Sequence, residues 1–409
     1  MPLSTDHALI TAYLNRYAQV QKVEFAKDKH YQHVLVIPAY REPADFLDTL
    51  LPSDAEGLLV IVVLNAPDSA SPTELEETTK FFTNYTLEPL NGEVSIGYIN
   101  KNKNIDVLVI DRVSANPIPT KQGVGLARKL GNDLALCLIH AGVITKPWIY
   151  NTDADVTLPE TYFEVELNGA ASLFPFEHIA ENFELQEKVD LYELRLRYYV
   201  NRLSYAGSPY AFQSLGSAIA ISASAYAKVR GFPRRAAGED FYLLNKLAKT
   251  GPITRLQSPV ITVAGRYSDR VPFGTGPALI QMAGGLKPYL SYHPAIFGLL
   301  ATFQHALHHA PGFSESPLHA APGEILEKIG FSAALPKLNK ATNNQTRWRR
   351  SLIEWFDGFR TLKFVHEARK SLPDQPLVES VRKILDSCEP PPALLNRLRN
   401  LERQQNLTN

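Results

Sequence analysis

Cysteine is nearly missing: the 409 residues hold two, Cys137 and Cys388. Two thiols build neither a disulfide framework nor a four-cysteine zinc site, so a reducing interior is the simplest compartment and a cytoplasmic location the expectation. An excess of charge of one sign is missing too. Lys and Arg total 42, Asp and Glu total 42, and the formal net charge is +0. That disfavours a general nucleic-acid binder, which would carry a basic excess for phosphates, so no nucleic-acid partner is expected. No long hydrophobic run is present. The most apolar stretch, 295–307, is shorter than a membrane span and is broken by Gly298, Gln304 and His305. The first residues lack a basic segment followed by an apolar run, so no signal peptide is expected. There is no Walker A sequence, no complete dinucleotide fingerprint, no His-Glu-x-x-His pattern, no internal repeat and no low-complexity tract.

What is there suits a large α/β protein. Hydrophobic residues make up 45% and charged residues 21%, enough to bury a sizeable core. Apolar runs at 33–38, 58–64, 107–110 and 148–150 read as buried parallel strands. Residues 123–140 read as a helix with Val124, Ala127, Leu130, Leu134 and Leu138 on one face. Strands alternating with helices imply an α/β fold with a mostly parallel central sheet and helices on both faces. Chemistry in such sheets gathers at the carboxyl ends of the strands. Further on, 184–205 reads as a helix, 217–222 as a strand and 239–250 as a helix. Beyond about 276 the chain reads as helical. The expected division is an N-terminal helix over 1–30, an α/β domain over 31–276 and a helical C-terminal region over 277–409.

Several residues can carry chemistry. Asp153 and Asp155 follow a strand with one residue between them, a spacing that lets both carboxylates reach one hard cation such as Mg²⁺ or Mn²⁺; helix capping is the alternative. Gly238, Glu239 and Asp240 open a helix, where Asp240 can serve as a general base or simply favour the helix dipole. Lys121 and Arg128 flank a glycine-containing helix start able to approach an anion. Arg266 and Arg270 sit beside a Gly-rich turn, the composition of a loop closing on a diphosphate or of an ordinary surface loop. His305, His308 and His309 lack a zinc pattern and read as ordinary histidines. Trp348, Trp355, Phe356 and Phe359, interleaved with Arg347, Arg349, Arg350, Arg360 and Lys363, suit packing on the protein itself or peripheral contact with the inner face of an anionic membrane. Packing is the expectation, because the net charge gives no general attraction to such a surface.

The order of these segments resembles glycosyltransferase family 2, with its nucleotide-sugar-binding GT-A fold. The segments are Val-Ile-Pro38-Ala-Tyr40-Arg-Glu42 at the first strand exit, Asn65 at the second, and Gly123-Val-Gly-Leu-Ala-Arg128-Lys-Leu-Gly131 on a helix. Asp153-Ala-Asp155 comes next, then 216–221 with 229–233, and finally Gly238-Glu239-Asp240. The resemblance covers roughly 31–276. It implies that Pro38, Tyr40 and Glu42 hold the nucleoside, and that Lys121 and Arg128 lie near the nucleotide. It further implies that Asp153 and Asp155 serve the metal and the ribose–diphosphate, that Asp240 is the catalytic base with Glu239 beside it, and that Arg266 binds the diphosphate. Asn65 stands where many members have an aspartate reading the base, and Arg41 replaces the usual asparagine of the first motif. The Gln-x-x-Arg-Trp motif of processive synthases is missing.

The implied activity is an inverting, metal-dependent transfer of a sugar from a UDP- or GDP-type donor to an acceptor hydroxyl on a sugar, glycan or lipid-linked molecule. The acceptor is expected over 174–210 and the helical C-terminal region. Two other readings stand beside it: a nucleotidyltransferase acting on a sugar phosphate, and a non-catalytic nucleotide-sugar-binding protein.

Overall fold

The computed structural model describes residues 5–19, 23, 29–114, 116–270, 274–284, 288–310, 312 and 316–404. The chain divides into two compact units. The first is Met1–Ile179, Ser214–Gly265 and Asp269–Gly274; the second is Ala180–Gln213, Arg266–Ser268 and Thr275–Asn409.

The first unit opens with α1 (Thr5–Arg16), β1 (His33–Ala39), α2 (Phe46–Leu50), β2 (Leu58–Asn65), α3 (Pro72–Thr79) and α4 (Phe81–Asn84). A hairpin of β3 (Leu87–Asn91) and β4 (Val94–Asn100) leads into β5 (Ile105–Arg112), α5 (Gly123–His140), β6 (Trp148–Asn151), β7 (Val156–Thr157), β8 (Ala171–Leu173) and β9 (Phe176–Ile179). After α6 (Phe183–Tyr205), which belongs to the second unit, come β10 (Ile219–Ser222), α7 (Ala223–Lys228), α8 (Glu239–Leu247), β11 (Ile253–Arg255) and β12 (Ile261–Ala264). Of the N-terminal segment expected to be helical over 1–30, Thr5–Arg16 is helix, while 1–4, 20–22 and 24–28 lie outside the described residues.

The main sheet has nine strands in the order β11-β8-β10-β6-β1-β2-β5-β4-β3. Strands β6, β1, β2 and β5 pair in parallel, whereas β10 and β4 run against their neighbours. With β8, β11 and β3 following the majority direction, the sheet is mostly parallel, as the alternating pattern implies. Strands β1 and β2 are buried on both faces, which is why they read as unbroken Val, Leu and Ile runs rather than alternating ones. A small sheet, β7-β12-β9, adjoins the chain after β6.

Helix α5 lies on β1 and β2, and Gly131 sets how closely it can approach. A Cβ there would stand 2.4 Å from Val36 Cγ1, so only glycine lets the helix sit this near the sheet. Next to it, Asn132 and Asn151 exchange amide hydrogen bonds of 2.7 and 3.1 Å, tying α5 to the end of β6. On the same helix the buried Asp133 accepts from Tyr13 at 2.5 Å, from Tyr226 at 2.9 Å and from the Gln19 amide at 2.8 Å, and it pairs with Lys129 at 3.0 Å. This network fastens α1 and α7 to α5.

The second unit is helical: α6, α9 (Thr275–Ala283), α10 (Pro294–His309), α11 (Gly323–Lys328), α12 (Phe331–Ala341), α13 (Gln345–Trp355), α14 (Gly358–Ala368), α15 (Leu377–Leu385) and α16 (Pro391–Gln404). One short pair of strands, β13 (Leu290–Ser291) and β14 (Gln375–Pro376), joins two of its loops. Phe297, Phe303, Trp348, Phe364 and Leu398 are among the residues of its core. Within the region read as helical beyond about 276, residues 345–368 form two helices rather than one. Asp357 ends the first turn of connection and caps α14 by accepting the Arg360 amide at 3.1 Å. Trp348 is fully buried, with its indole donating to Asn339 at 2.8 Å, and Phe356 is buried beside it. Trp348 and Phe356 thus pack within this unit, whereas Trp355 is partly buried and Phe359 is 44% exposed. Among the described residues no helix is long and apolar enough to cross a membrane.

Candidate active site

Strand β1 pairs with β2 on one side and β6 on the other, so the strand order changes direction at its carboxyl end. Open α/β sheets place their ligand crevices at such a point. Pro38 occupies the penultimate position of β1, opposite Val63, and Tyr40, Arg41 and Glu42 follow it. Asn65 ends β2. Asp153 follows β6 by two residues. Because β10 runs antiparallel to β6 with Ile219 opposite Asn151, Gly216 is brought to the same end of the sheet.

Arg128 is the hub. Only 2% of it is exposed. Its Nη2 donates to Asp153 Oδ1 at 2.5 Å, its Nε to Glu239 Oε1 at 3.0 Å, and its Nη1 to the Thr152 carbonyl at 3.5 Å. Burial works against the guanidinium charge, but Asp153, Glu239 and Asp240 together hold it charged. Gly216 lies against the guanidinium, where a Cβ would come within 2.5 Å of Nη2. Arg128 therefore joins three distant parts of the chain: α5, the exit of β6 and the start of α8.

Helix α8 begins at Gly238, whose φ of 72° is the left-handed conformation that glycine adopts without strain. The helix start is held by the loop before it. Gly125 donates its amide to the Arg235 carbonyl at 3.0 Å, and a Cβ on Gly125 would stand 2.5 Å from the Pro233 carbonyl. The two glycines of the Gly-Val-Gly segment thus admit a crossing loop, and Gly123 likewise lies against Ala236.

Asp240 and Asp153 do not titrate as ordinary carboxyls. Burial raises Asp240 to about 7, with Glu239 adding to the rise and the amide of Phe241, 2.6 Å away, opposing it. Burial also raises Asp153, against the pull of Arg128 and with the help of Asp155 and Glu239. Glu239 itself is buried and committed to Arg128.

The first-strand segment is organised by other ion pairs. Arg270 donates to the Tyr40 carbonyl at 2.7 Å and pairs with Glu42. Arg41 has φ 56°, unusual for a residue with a side chain, and turns to Glu77 at 2.9 Å and Glu74 at 3.3 Å on α3. The Asn65 amide nitrogen donates to the carbonyls of Ala39 and Val63, each at 3.1 Å, which leaves its carbonyl oxygen as the group able to accept from a ligand. Lys121 is exposed just before α5. Arg266 falls in the second unit.

The structure brings Arg128, Asp153 and Glu239 into direct contact, with Asp240 within their electrostatic reach. Sequence reasoning had no role for Gly216, Asn132, Asn151 or the pairing of Arg270 with Glu42. The carboxylates of Asp153, which is paired with Arg128, and Asp155 carry the oxygen-only chemistry that Mg²⁺ and Mn²⁺ accept. Among the described residues no group of three or more His, Cys, Asp or Glu side chains is gathered for a metal. The other positions around such an ion would therefore go to water and to phosphate oxygens, the partition Mg²⁺ favours.

No family model and no curated protein matches this chain. Among solved structures it is similar to TarS residues 1–349 from S. aureus in complex with UDP-GlcNAc. The identity is 13%, over 86% of this chain and 92% of that one, with a TM-score of 0.35. It is also similar to the mannosyltransferase PcManGT from Pyrobaculum calidifontis in complex with GDP-Man and Mn²⁺. There the identity is 15%, over 88% of this chain and 99% of that one, with a TM-score of 0.34. At these values the assignment of function rests on the residues of this chain.

Proposed function

We propose that the first unit is the catalytic domain of an inverting glycosyltransferase of the family 2, GT-A type, moving a sugar from a nucleoside-diphosphate sugar to an acceptor hydroxyl. The observation that carries this reading is the Arg128 hub, which gathers Asp153 and Glu239 beside Asp240 at the carboxyl ends of β6 and β1.

The division of labour follows from the environments. Asp240 lies at the start of a helix with its pKa raised to about 7, which makes it a stronger base than an exposed aspartate while leaving it partly ionised at neutral pH. It would take the acceptor proton as the hydroxyl oxygen attacks the anomeric carbon and the bond to the diphosphate oxygen breaks. One displacement of this kind inverts the anomeric centre. Glu239, paired with Arg128, positions the base. Asp153 and Asp155 would hold Mg²⁺ or Mn²⁺, which when bound supplies Lewis-acid stabilisation of the charge on the leaving diphosphate. Within the first unit, Lys121 is the proposed basic residue for that diphosphate. Pro38, Tyr40 and Glu42 are proposed to form the nucleoside wall. The Asn65 carbonyl is proposed to accept an imino N–H of the base, a donor that uracil and guanine both possess, which accounts for UDP- or GDP-type donors.

Incubation of the protein with UDP- and GDP-sugars and Mn²⁺, with release of nucleoside diphosphate as the readout, tests the reading. Release that accelerates with a saccharide acceptor is the expected result. Pyrophosphate formation from a nucleoside triphosphate and a sugar phosphate would instead identify a nucleotidyltransferase. Donor binding with no turnover over a broad acceptor panel would identify a binding protein.

A further inference from the structure

The helical unit contains a cavity of about 790 Å³ that none of the residues above accounts for. That is within the range of about 300–1,000 Å³ usual for small-ligand sites. Its walls are the carboxyl end of α6 with the turn after it, and one face of the second half of α10. Gly207, in that turn, has φ 71° and nothing within 4 Å of where a Cβ would stand, so the backbone leaves the mouth open.

Three features define the chemistry of a ligand. Tyr205 is an aromatic ring left 62% exposed, with the Arg202 guanidinium 4.7 Å from its centroid. A ring braced in this way offers a flat platform for the C–H face of a ligand. Gln304, by contrast, is only 2% exposed, and its Nε2 has no hydrogen-bond partner. A buried amide is costly to leave unpaired, and an acceptor oxygen on a ligand would satisfy it. The third feature is the charge balance: among the described residues no Asp, Glu, Lys or Arg lines the cavity. Its remaining polar groups are Thr302 and the imidazoles of His305, His308 and His309, which can donate and accept. Burial, with His309 and His305 nearby, holds His308 below the ordinary imidazole value.

A cationic ligand would find no carboxylate among the described residues of this lining, and a purely apolar one would leave Gln304 unpaired. A metal ion is disfavoured as well. The rings of His305 and His309 pack on each other with centroids 4.3 Å apart, and no three-ligand group is present among the described residues. We propose that this cavity binds a neutral saccharide, one ring face stacked on Tyr205 and its hydroxyls bonded to Gln304 and the imidazoles. The proposal depends on the helical unit alone and stands or falls separately from the transferase reading.

Screening the full-length protein on an array of neutral glycans, then titrating the tightest free saccharide by calorimetry, tests it. Tyr205→Ala and Gln304→Leu should each weaken binding about tenfold or more, the effect of losing one stacking or hydrogen-bonding partner. Tyr205 is exposed, so its removal should leave the fold intact. Gln304→Leu removes an unpaired buried amide, so its Tm should hold or rise while binding is lost. Asp240→Asn should bind as the parent does. The proposal is overturned if no neutral glycan binds the parent, or if both cavity variants bind like the parent. It is equally overturned if binding is lost in Asp240→Asn instead, or if Zn²⁺ alone binds the histidines while no saccharide does.

Discussion

Arg128 lies so close to Gly216 that the smallest side chain at position 216 would place a carbon 2.5 Å from the guanidinium Nη2 and 2.9 Å from its Cζ. The guanidinium cannot retreat without releasing Asp153 and Glu239. Gly216→Ala should therefore cost about 1–3 kcal/mol, as overpacking of a close-fitted site does, and it should lower turnover although residue 216 carries no chemistry. Arg128→Met should cost more, about 3–5 kcal/mol, because it leaves the buried Glu239 carboxylate without its partner. Urea unfolding of both variants measures the two costs. Equal stability of parent and Arg128→Met would remove the hub from the account.

Asp240→Asn keeps the shape of the side chain but cannot accept a proton. Turnover should fall about 10²–10⁴-fold, the usual contribution of a positioned base, with donor affinity nearly unchanged. In the parent, kcat/KM should rise with pH through about 7, where the raised Asp240 carboxyl ionises, and this acid limb should disappear in the variant. If Asp240 merely favours the helix start, asparagine would serve as well and the rate would match the parent's.

Asp155→Asn should weaken Mn²⁺-dependent binding of a nucleoside diphosphate, because one of two carboxylates in the proposed donor set is lost. Calorimetric titration of UDP and GDP with Mn²⁺, and again with excess chelator, reads this without reference to turnover. Nucleotide binding that is equally tight with chelator, and equally tight in the variant, would refute the metal role.

His33, at the start of β1, is 5% exposed and packs against Tyr150 and Phe163. Burial, with Lys146 nearby, depresses its pKa to about 4. The unfolded chain then binds a proton that the folded chain refuses between about pH 4 and the ordinary imidazole value of about 6.5. Stability should rise with pH across that window. Thermal melts of the parent and His33→Phe at pH 4.5 and 7 should show the variant gaining relative to the parent at the lower pH. An unchanged difference between the two pH values would show that His33 is not the group responsible.

The α/β architecture was legible in the chain because its central strands are buried on both faces. Such strands must be continuous apolar runs, so 33–38, 58–64, 107–110 and 148–150 all lie within observed strands, and helix 123–140 matches α5 at both ends. The hairpin of β3 and β4 was not legible. Strand β3 is largely exposed at the sheet edge, so its residues carry no burial pattern. The break between α13 and α14 was hidden for another reason: the aromatic and basic periodicity runs on past Asp357, and only the cap it forms reveals the interruption.

The sequence by itself determined which residue types stand at the strand exits and on the helices beside them: the acids at 153 and 155 after β6, the acids at 239 and 240 opening α8, and the glycines at 123, 125 and 131 with the arginine at 128 on α5. These follow from local pattern, since a strand exit and a helix start are local events. Only the tertiary structure decided what Arg128 does. Its partners lie 25 and 111 residues away along the chain, and Gly216 reaches it because β10 runs antiparallel to β6 and ends at the same side of the sheet. Spacing along the chain cannot encode that meeting. The pairing of strands sets it, and the burial it imposes raises the pKa values of Asp153 and Asp240.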